Sequence, residues 1–207
     1  LPRRIPGLTL MSFLSDLKIL YHLVLNPIRG KTHSERLESF YSHQASGYDD
    51  FRKRLLQGRR EMWDSLPVKQ GDIGLDMGGG TGANLEFLGD RIKLFSEIRL
   101  VDLSKSLLKV ADERIAARGW TNASTVEADA TLYQPPTSPD LITFSYSLTM
   151  IPDWFAAMDH AYNLLKPGGT IGIVDFFVSR KYPGEGHTRH SLATQGFWPW
   201  WFRFDNV

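Results

Sequence analysis

The sequence predicts an α/β fold in which a mostly parallel sheet carries helices on both faces. The first observation is that short apolar runs alternate with helical stretches from about residue 73 onwards, because parallel strands need crossover connections that are usually helices. The second is the run GLDMGGGTGANLEF at 74–87, which puts three consecutive glycines between a predicted strand and a predicted helix. The third is length, since 207 residues suit one domain with attached segments.

Five short apolar runs predict the strands, and helical spacing between them predicts the crossovers. The strands are expected at 73–77, 98–101, 123–127, 141–145 and 171–174, and the helices at 82–89, 104–118 and 154–165. After residue 179 no strand pattern is evident. We therefore expect the antiparallel strands that would close such a sheet to lie beyond Val207, in a longer chain of which this sequence, beginning at Leu1, is a fragment.

Two segments precede this core. Residues 10–25 have apolar side chains at helical spacing between basic flanks, a pattern typical of a helix that lies on a membrane surface or packs on protein. From 33 to 66 the spacing is helical again, with Ser34 as the expected N-cap and Pro67 close behind the end. The predicted divisions are an amphipathic helix and linker at 1–32, a helical segment at 33–69, a Rossmann-like core at 70–179 and a His/aromatic segment at 180–207.

Composition excludes several classes of function. The chain has no cysteine, which excludes disulfides, thiolate metal sites and cysteine nucleophiles. Residues 1–70 carry 12 basic and 7 acidic side chains, residues 71–179 carry 8 and 14, and residues 180–207 carry 4 and 2. The acidic centre argues against a nucleic-acid groove, and the basic flanks are candidates for an anionic membrane surface.

The glycine turn fits two ligands. Gly78, Gly80 and Ala83 satisfy the GxGxxG/A pattern of dinucleotide-binding folds. Gly78, Gly80 and Gly82 equally satisfy the GxGxG pattern of Rossmann-like methyltransferases. In both, glycine permits positive φ and a close approach of backbone to ligand, so the glycines alone leave the ligand open.

Nearby carboxylates favour S-adenosylmethionine. A pyrophosphate favours a helix N-terminus without carboxylates, whereas the amino-acid end of S-adenosylmethionine carries an ammonium group. Asp76 precedes the first glycine and supplies such a carboxylate. Asp102 ends the second strand, where it can accept both ribose hydroxyls of either ligand. Asp129 ends the third strand and can accept from an adenine amino group, with Ala130 as a backbone donor.

The motifs taken together resemble those of class I S-adenosylmethionine-dependent methyltransferases over residues 70 to 178. The set is LDMGGGTG, LVDLS, EADA, DLITFSYSLTMI and LLKPGG, in that order. The resemblance implies S-adenosylmethionine as cofactor and no metal. The predicted cofactor-binding residues are Tyr41, Arg59, Asp76, Gly78, Gly80, Gly82, Asp102, Leu103, Asp129, Ala130 and Ser145.

A finer resemblance covers residues 33 to 207. The segments HSERLESFYSHQASGYDDFRKRLLQGRREMWDSLP, GEGHTRH and FWPWWFRFDNV are similar to those of betaine-lipid N-methyltransferases. This resemblance implies trimethylation of the amino group of diacylglycerylhomoserine at the cytosolic side of a membrane, the endoplasmic reticulum in a eukaryote. It also implies a fused or separate partner domain that transfers the 3-amino-3-carboxypropyl group, which this chain lacks.

Methyl transfer to an amine needs alignment, exclusion of water and a neutral nitrogen. The predicted catalytic residues are Tyr48, Tyr146 and His187, with Tyr41 and His190 as further candidates for the base. A quaternary ammonium product favours aromatic faces, which Tyr41, Tyr48, Tyr146 and Trp154 would supply. The substrate carboxylate would be paired by one of the arginines at 52, 59, 60 and 189, for which Arg59 and Arg189 are preferred.

Other functions remain open from the sequence. The same cofactor site would serve a methyltransferase acting on phosphatidylethanolamine or on a quinone precursor. A nicotinamide-dependent oxidoreductase would use the same glycine turn, and a non-catalytic methyltransferase-like module would keep the fold without the reaction.

Overall fold

All five predicted strands are present in a computed structural model that describes residues 30–41, 56–176, 191 and 196. They are β1 Ile73–Met77, β2 Glu97–Asp102, β3 Ala123–Glu127, β4 Leu141–Ser145 and β5 Thr170–Val174. Every neighbouring pair is parallel, in the order β3-β2-β1-β4-β5. The predicted α/β class is confirmed, and each strand boundary lies within one residue of its prediction.

Helices connect the strands and precede them. They are α1 His33–Tyr41, α2 Arg59–Ser65, a 3₁₀ helix at Ala83–Leu94, α3 Lys105–Arg118, a 3₁₀ turn at Leu148–Met150 and α4 Trp154–Leu164. Helix α3 begins behind Ser104, whose hydroxyl accepts from the Leu107 amide at 3.3 Å. Helix α4 begins behind Asp153, whose carboxylate accepts from the Ala156 amide at 3.0 Å. Both are side-chain N-caps, which satisfy amides that have no partner inside the helix.

The helical segment before the core differs from its prediction. The N-terminus of α1 is fixed by Thr32 rather than Ser34, because Thr32 and Glu35 form a reciprocal capping box. The Thr32 hydroxyl accepts from the Glu35 amide at 3.2 Å, and the Glu35 carboxylate accepts from the Thr32 amide at 3.2 Å. A second helix, α2, starts only after Gly58, whose φ of 79° is left-handed, and ends at Ser65 before Pro67 as predicted.

The first crossover also differs from an α-helix over 82–89. It is a 3₁₀ helix that runs to Leu94 and is broken at Gly89, which has φ 53° and ψ −131°. A backbone in that conformation requires glycine, so the helical periodicity read from the sequence stops there.

Two apolar clusters hold the layers together, one on each face of the sheet. On one face Trp63 of α2 and Leu85 and Leu88 of the 3₁₀ helix form a cluster with Leu100 of β2. On the other, Leu75, Met77, Val101, Ile142 and Phe144 pack with Ala157, Ala161 and Leu164 of α4. Helices on both faces are therefore confirmed. Within the described ranges no helix has the length and hydropathy that a membrane crossing requires.

The sheet topology determines where a ligand binds. Strand β1 lies between β2 and β4, so the strand order reverses at β1. In open parallel sheets the crevice at such a reversal, beyond the carboxyl ends of the strands, is where ligands bind. Gly78 follows β1, Asp102 ends β2, Asp129 follows β3 and Tyr146 follows β4. Residues distant in sequence therefore meet at one edge.

Candidate active site

A cavity of about 250 Å³ opens at this edge of the sheet. Its walls come from the turns that follow β1 to β4, from the first turns of α3 and the approach to α4, and from α1, which lies across the strand ends. The lining residues are His33, Leu37, Tyr41, Gly78, Gly80, Val101, Asp102, Leu103, Leu107, Ala128, Asp129, Ala130, Thr131, Tyr146, Ser147, Met150, Ile151, Pro152 and Asp153.

The glycine turn is held by the neighbouring strand. The amides of Gly78 and Gly79 donate to the Val101 carbonyl at 2.7 and 3.2 Å, and the Gly80 amide donates to the Asp102 carboxylate at 2.9 Å. Gly78 has φ +69°, and a Cβ added there would lie 2.4 Å from the Cβ of Ser147. Only glycine allows β1 to turn away this close to the end of β4.

Asp102 joins the glycine turn to α3. Its Oδ2 accepts from Gly80, and its Oδ1 accepts from the Ser104 amide at 2.9 Å. Both bonds fix the carboxylate at the cavity wall. Each carboxylate oxygen can accept more than one hydrogen bond, so the pair retains the capacity to accept from two ribose hydroxyls, as predicted for this position.

The turn after β3 presents a second carboxylate. One oxygen of Asp129, Oδ1, accepts from the amide and the hydroxyl of Thr131 at 2.8 and 2.7 Å. This local turn orients Asp129 at the cavity wall beside Ala130, which also lines it. The arrangement suits the adenine contacts predicted for these two residues.

Helix α1 forms one wall of the cavity. His33, Leu37 and Tyr41 are four residues apart, so they share one face of the helix, and all three line the cavity. Leu37 and Tyr41 are each only 7% exposed. Glu38 projects towards α3 instead, where it accepts from the Ser104 hydroxyl at 2.9 Å and from the Ser106 amide at 3.2 Å.

Tyr146 lies in a conformation that is rare for a bulky residue, with φ +55°. Its amide donates to the Val174 carbonyl at 2.7 Å, its hydroxyl donates to the Gln57 carbonyl at 2.6 Å, and its ring meets Phe176 edge-on at 4.7 Å. Backbone strain of this kind concentrates at functional sites. Burial, followed by the negative charge of Asp175, raises the pKa of the Tyr146 phenol, which favours a protonated hydroxyl that orients a ligand.

A buried polar network lies beneath the glycine turn. The Asp76 carboxylate is fully buried and accepts from the Thr143 hydroxyl at 2.7 Å and from the Asn84 side-chain amide at 3.3 Å. The Asn84 carbonyl in turn accepts from Arg59 and from Ser145, each at 3.4 Å. Asp76, Arg59 and Ser145 therefore meet in one network, and none of them lines the cavity.

The charge of the cavity wall selects between the two ligands that the glycine turn allows. Asp102, Asp129 and Asp153 line it, whereas no lysine or arginine does among the described lining residues. A wall with three carboxylates favours a sulfonium with an ammonium group and disfavours a pyrophosphate. The residues present therefore fit S-adenosylmethionine.

The remaining predicted residues are distributed as follows. Leu103, Gly80 and Tyr41 line the cavity, whereas Gly82 lies behind it, capping the 3₁₀ helix. Trp154 is 44% exposed and stacks on Phe155 with ring centroids 3.6 Å apart. Arg60 does not line the cavity, and its guanidinium lies 5.1 Å from the centre of the Phe87 ring. The predicted positions that lie outside the described residues are Tyr48, Arg52, His187, Arg189 and His190. Within the described part of the chain, no group of acidic or histidine side chains is arranged to hold a metal.

Sequence reasoning missed four residues that shape this site. Asn84, near the start of the 3₁₀ helix, and Ser147, after β4, are buried polar residues. Asp175 holds the segment after β4 by accepting from the Leu148 amide at 2.8 Å. Glu38 holds α1. The spacing of His33, Leu37 and Tyr41 was a usable signal for the wall, but no local pattern shows which distant element Glu38 or Asp175 contacts.

Comparisons with known proteins agree with this geometry. The family described as "Methyltransferase domain" matches residues 75–171. The chain is 24% identical over 150 residues to the ubiquinone/menaquinone biosynthesis C-methyltransferase UbiE of Hydrogenovibrio crunogenus, an alignment that covers 69% of this chain and 59% of that protein. It is 26% identical over 143 residues to the demethylmenaquinone methyltransferase of Anoxybacillus flavithermus, covering 66% and 60%.

A solved structure shares the fold. A protein described as a putative S-adenosylmethionine-dependent methyltransferase from Methanococcus maripaludis superposes with a TM-score of 0.57 at 23% identity, covering 73% of this chain and 68% of that one.

Residues 75–171 match a methyltransferase domain, and the acidic cavity of this region fits S-adenosylmethionine as the cofactor. The domain is Rossmann-like, as predicted. The chain spans about 59% and 60% of the length of the two curated relatives, so the acceptor of the methyl group is a matter for proposal.

Proposed function

We propose that the chain methylates the amino group of a homoserine-headed diacylglyceryl lipid, forming the trimethylated betaine lipid. The observation that carries the proposal is that Tyr41 and Tyr146 line the same cavity as three carboxylates, Asp102, Asp129 and Asp153. Tyrosine faces and negative charge both favour a quaternary ammonium product, whose charge cannot be removed by loss of a proton. The similarity of residues 33–207 to betaine-lipid N-methyltransferases supports the same acceptor.

In this proposal some residues of the cavity bind the cofactor and another orients the acceptor amine. S-adenosylmethionine supplies an electrophilic methyl group when it is bound. Asp102 accepts from the ribose, and Asp129 with Ala130 orients the adenine. Because the Tyr146 hydroxyl donates to the Gln57 carbonyl, its oxygen is turned to accept a hydrogen bond, and an attacking amine is a donor of the required kind.

Proton release accompanies each of the three methylations. Only the neutral amine attacks, and an α-amino group has an ordinary pKa of roughly 8. The raised pKa of Tyr146 makes it an orienting residue, while His187 and Tyr48 stay predictions for the base. Arg59 was a candidate for pairing the substrate carboxylate, but it is buried, donates to Asn84 and does not line the cavity. Arg189 therefore stays the predicted partner of the substrate carboxylate.

The lipid acceptor implies further partners. A diacylglycerylhomoserine substrate must be supplied by a reaction that transfers a 3-amino-3-carboxypropyl group onto diacylglycerol, in a fused or separate domain. It also implies that the chain works at a membrane surface, on the cytosolic side, with no nucleic-acid partner.

A second acceptor is favoured by the relatives. Both curated relatives carry names of quinone-pathway methyltransferases, and one of them is named as a C-methyltransferase. A ring carbon of a quinol accepts one methyl group, whereas the homoserine amine accepts three. The number of methyl groups added therefore distinguishes the two acceptors.

The test is a product mass measurement. The 207-residue chain is incubated with methyl-labelled S-adenosylmethionine and, in separate reactions, with diacylglycerylhomoserine or demethylmenaquinol in detergent. The proposal predicts a mixture of mono-, di- and trimethylated homoserine lipid. A singly methylated quinol and unmodified homoserine lipid would establish the second candidate instead.

A matched pair of variants tests the role of Tyr146. Tyr146→Phe removes the oxygen and is expected to lower kcat about tenfold, the loss of one hydrogen bond of about 1.4 kcal/mol. Tyr162→Phe removes the same atom from a residue that is 73% exposed on α4 and should leave kcat unchanged. Equal rates for both variants would remove Tyr146 from the mechanism.

A further inference from the structure

Glu38 joins two elements that are distant in the sequence. Its carboxylate accepts from the Ser104 hydroxyl at 2.9 Å, from the Ser106 amide at 3.2 Å and also from the Ser106 hydroxyl. These partners lie 66 and 68 positions further along the chain, at the start of α3. Burial by itself would raise the pKa of the Glu38 carboxyl, but the hydrogen bonds from Ser106 and Ser104 outweigh it and hold the pKa below its ordinary value.

The start of α3 favours this carboxylate for two reasons. The first amides of a helix have no partner within the helix, and Ser106 uses its amide to bind Glu38. The N-terminus also carries a partial positive charge that attracts an acidic side chain. Ser104 takes part twice, since its hydroxyl accepts from Leu107 and donates to Glu38.

The same contacts lead directly to the cofactor site. The Ser104 amide donates to Asp102, the carboxylate assigned to the ribose. On the other side, Glu38 belongs to α1, whose His33, Leu37 and Tyr41 line the cavity. Glu38 therefore connects α1, which forms one wall of the cavity, to the segment from Asp102 to Ser104 that would bind the ribose.

We infer that Glu38 is a positioning residue that keeps α1 closed over the bound cofactor and thereby sets the rate at which the product S-adenosylhomocysteine leaves. The inference depends on the cofactor and not on the identity of the methyl acceptor. A simple helix cap would affect stability only. A contact that keeps α1 on α3 also affects the dissociation rate of a ligand beneath α1, because the two helices must separate before the ligand leaves.

The test measures the dissociation rate of S-adenosylhomocysteine from the 207-residue chain without any methyl acceptor. The chain is preloaded with S-adenosylhomocysteine and mixed in stopped flow with an excess of a fluorescent analogue, which binds as S-adenosylhomocysteine leaves. Glu38→Ala is expected to raise the dissociation rate about tenfold, equivalent to about 1.4 kcal/mol, with the association rate changed by less than about twofold. Glu38→Gln keeps the length of the side chain and one carbonyl oxygen, and should give an intermediate rate.

Two further variants keep the result interpretable. Ser106→Ala removes one of the three donors to Glu38, the Ser106 hydroxyl, so it remains a test if the Glu38 variants fail to fold, and it should raise the dissociation rate less than Glu38→Ala does. Its effect should not add to that of Glu38→Ala in the double variant, because the Ser106 hydroxyl has no carboxylate to bind once Glu38 is replaced. Glu113→Ala removes an exposed carboxylate from α3 and should leave the dissociation rate unchanged.

The inference is overturned if Glu38→Ala and Ser106→Ala lower the melting temperature while their dissociation rates equal that of Glu113→Ala. Strictly additive effects of the two changes would overturn it as well. Since no acceptor is present, a failure here is distinct from a failure of the lipid proposal.

Discussion

Gly78→Ala is the sharpest test of how the glycine turn is built. The substitution adds one methyl group at a residue whose φ is +69°. That methyl would lie 2.4 Å from the Cβ and 3.1 Å from the Oγ of Ser147, well inside an ordinary carbon–carbon contact of about 3.5 to 4 Å. Ser147 is itself buried and donates to the Met77 carbonyl at 2.7 Å, so the segment that follows β4 must shift.

Two costs add up for this change. A left-handed backbone costs an L-residue roughly 1–2 kcal/mol, and overpacking a filled site costs roughly 1–3 kcal/mol. We therefore expect the free energy of unfolding to fall by about 2–5 kcal/mol. Gly119→Ala is the matched control, because Gly119 has φ +63° and no heavy atom within 4 Å of an added Cβ. It should show the backbone cost alone.

The assay is urea unfolding followed by tryptophan fluorescence, for which Trp63 is a fully buried probe. S-adenosylmethionine affinity is measured on the same samples by calorimetry. It should fall for Gly78→Ala, because Ser147 lines the cavity, and stay near the parent value for Gly119→Ala. If both variants lose equal stability, the contact with Ser147 carries no energy and this account of the turn is wrong.

Three further predictions concern stability. Asp140 accepts from Lys166 at 2.7 Å and from the Ile73 amide at 2.9 Å; burial would raise the pKa of its carboxyl, but these partners hold the pKa below its ordinary value. The difference in the free energy of unfolding between the parent and Asp140→Asn should therefore be constant above about pH 5 and disappear as the pH falls below about 4. Acid unfolding of the two proteins measures this difference. Arg91→Met should cost about 1–3 kcal/mol in urea unfolding, since Arg91 donates to the Trp63 and Leu66 carbonyls at 3.1 and 2.5 Å. Asn84→Ala should cost about 2–4 kcal/mol, because it leaves the buried Asp76 carboxylate with one fewer donor, and a thermal shift of only a degree would contradict that.

Much of the fold could be predicted because it follows from local patterns. Strand β4 reads as LITFS and is buried at every position, as expected for a central parallel strand that is covered on both faces. The 3₁₀ helix was less predictable, because its break depends on the single backbone conformation of Gly89. The helix start near residue 33 was predicted correctly, but its N-cap was not, since Ser34 and Thr32 are both residues that cap helices and only the reciprocal bonds with Glu35 separate them.

The candidate site divides in the same way. Asp102 and Asp129 follow strand ends, and topology places strand ends of a parallel sheet at one edge, so their positions at the cavity wall could be foreseen. Asp76 was expected to face the ligand's ammonium group, yet its carboxylate is turned into the interior towards Thr143 and Asn84. A side chain in a strand points to one face of the sheet or the other, and the residues that it contacts there come from elements elsewhere in the chain.

By itself, the sequence determined the order of strands and helices and the glycine turn, because periodicity and backbone permissiveness are properties of neighbouring residues. Only the tertiary structure decided that Glu38 contacts the start of α3 and that no lysine or arginine accompanies the carboxylates among the described residues of the cavity wall. Those features depend on contacts between residues far apart in the chain, and such contacts exist only after the helices have packed on the sheet.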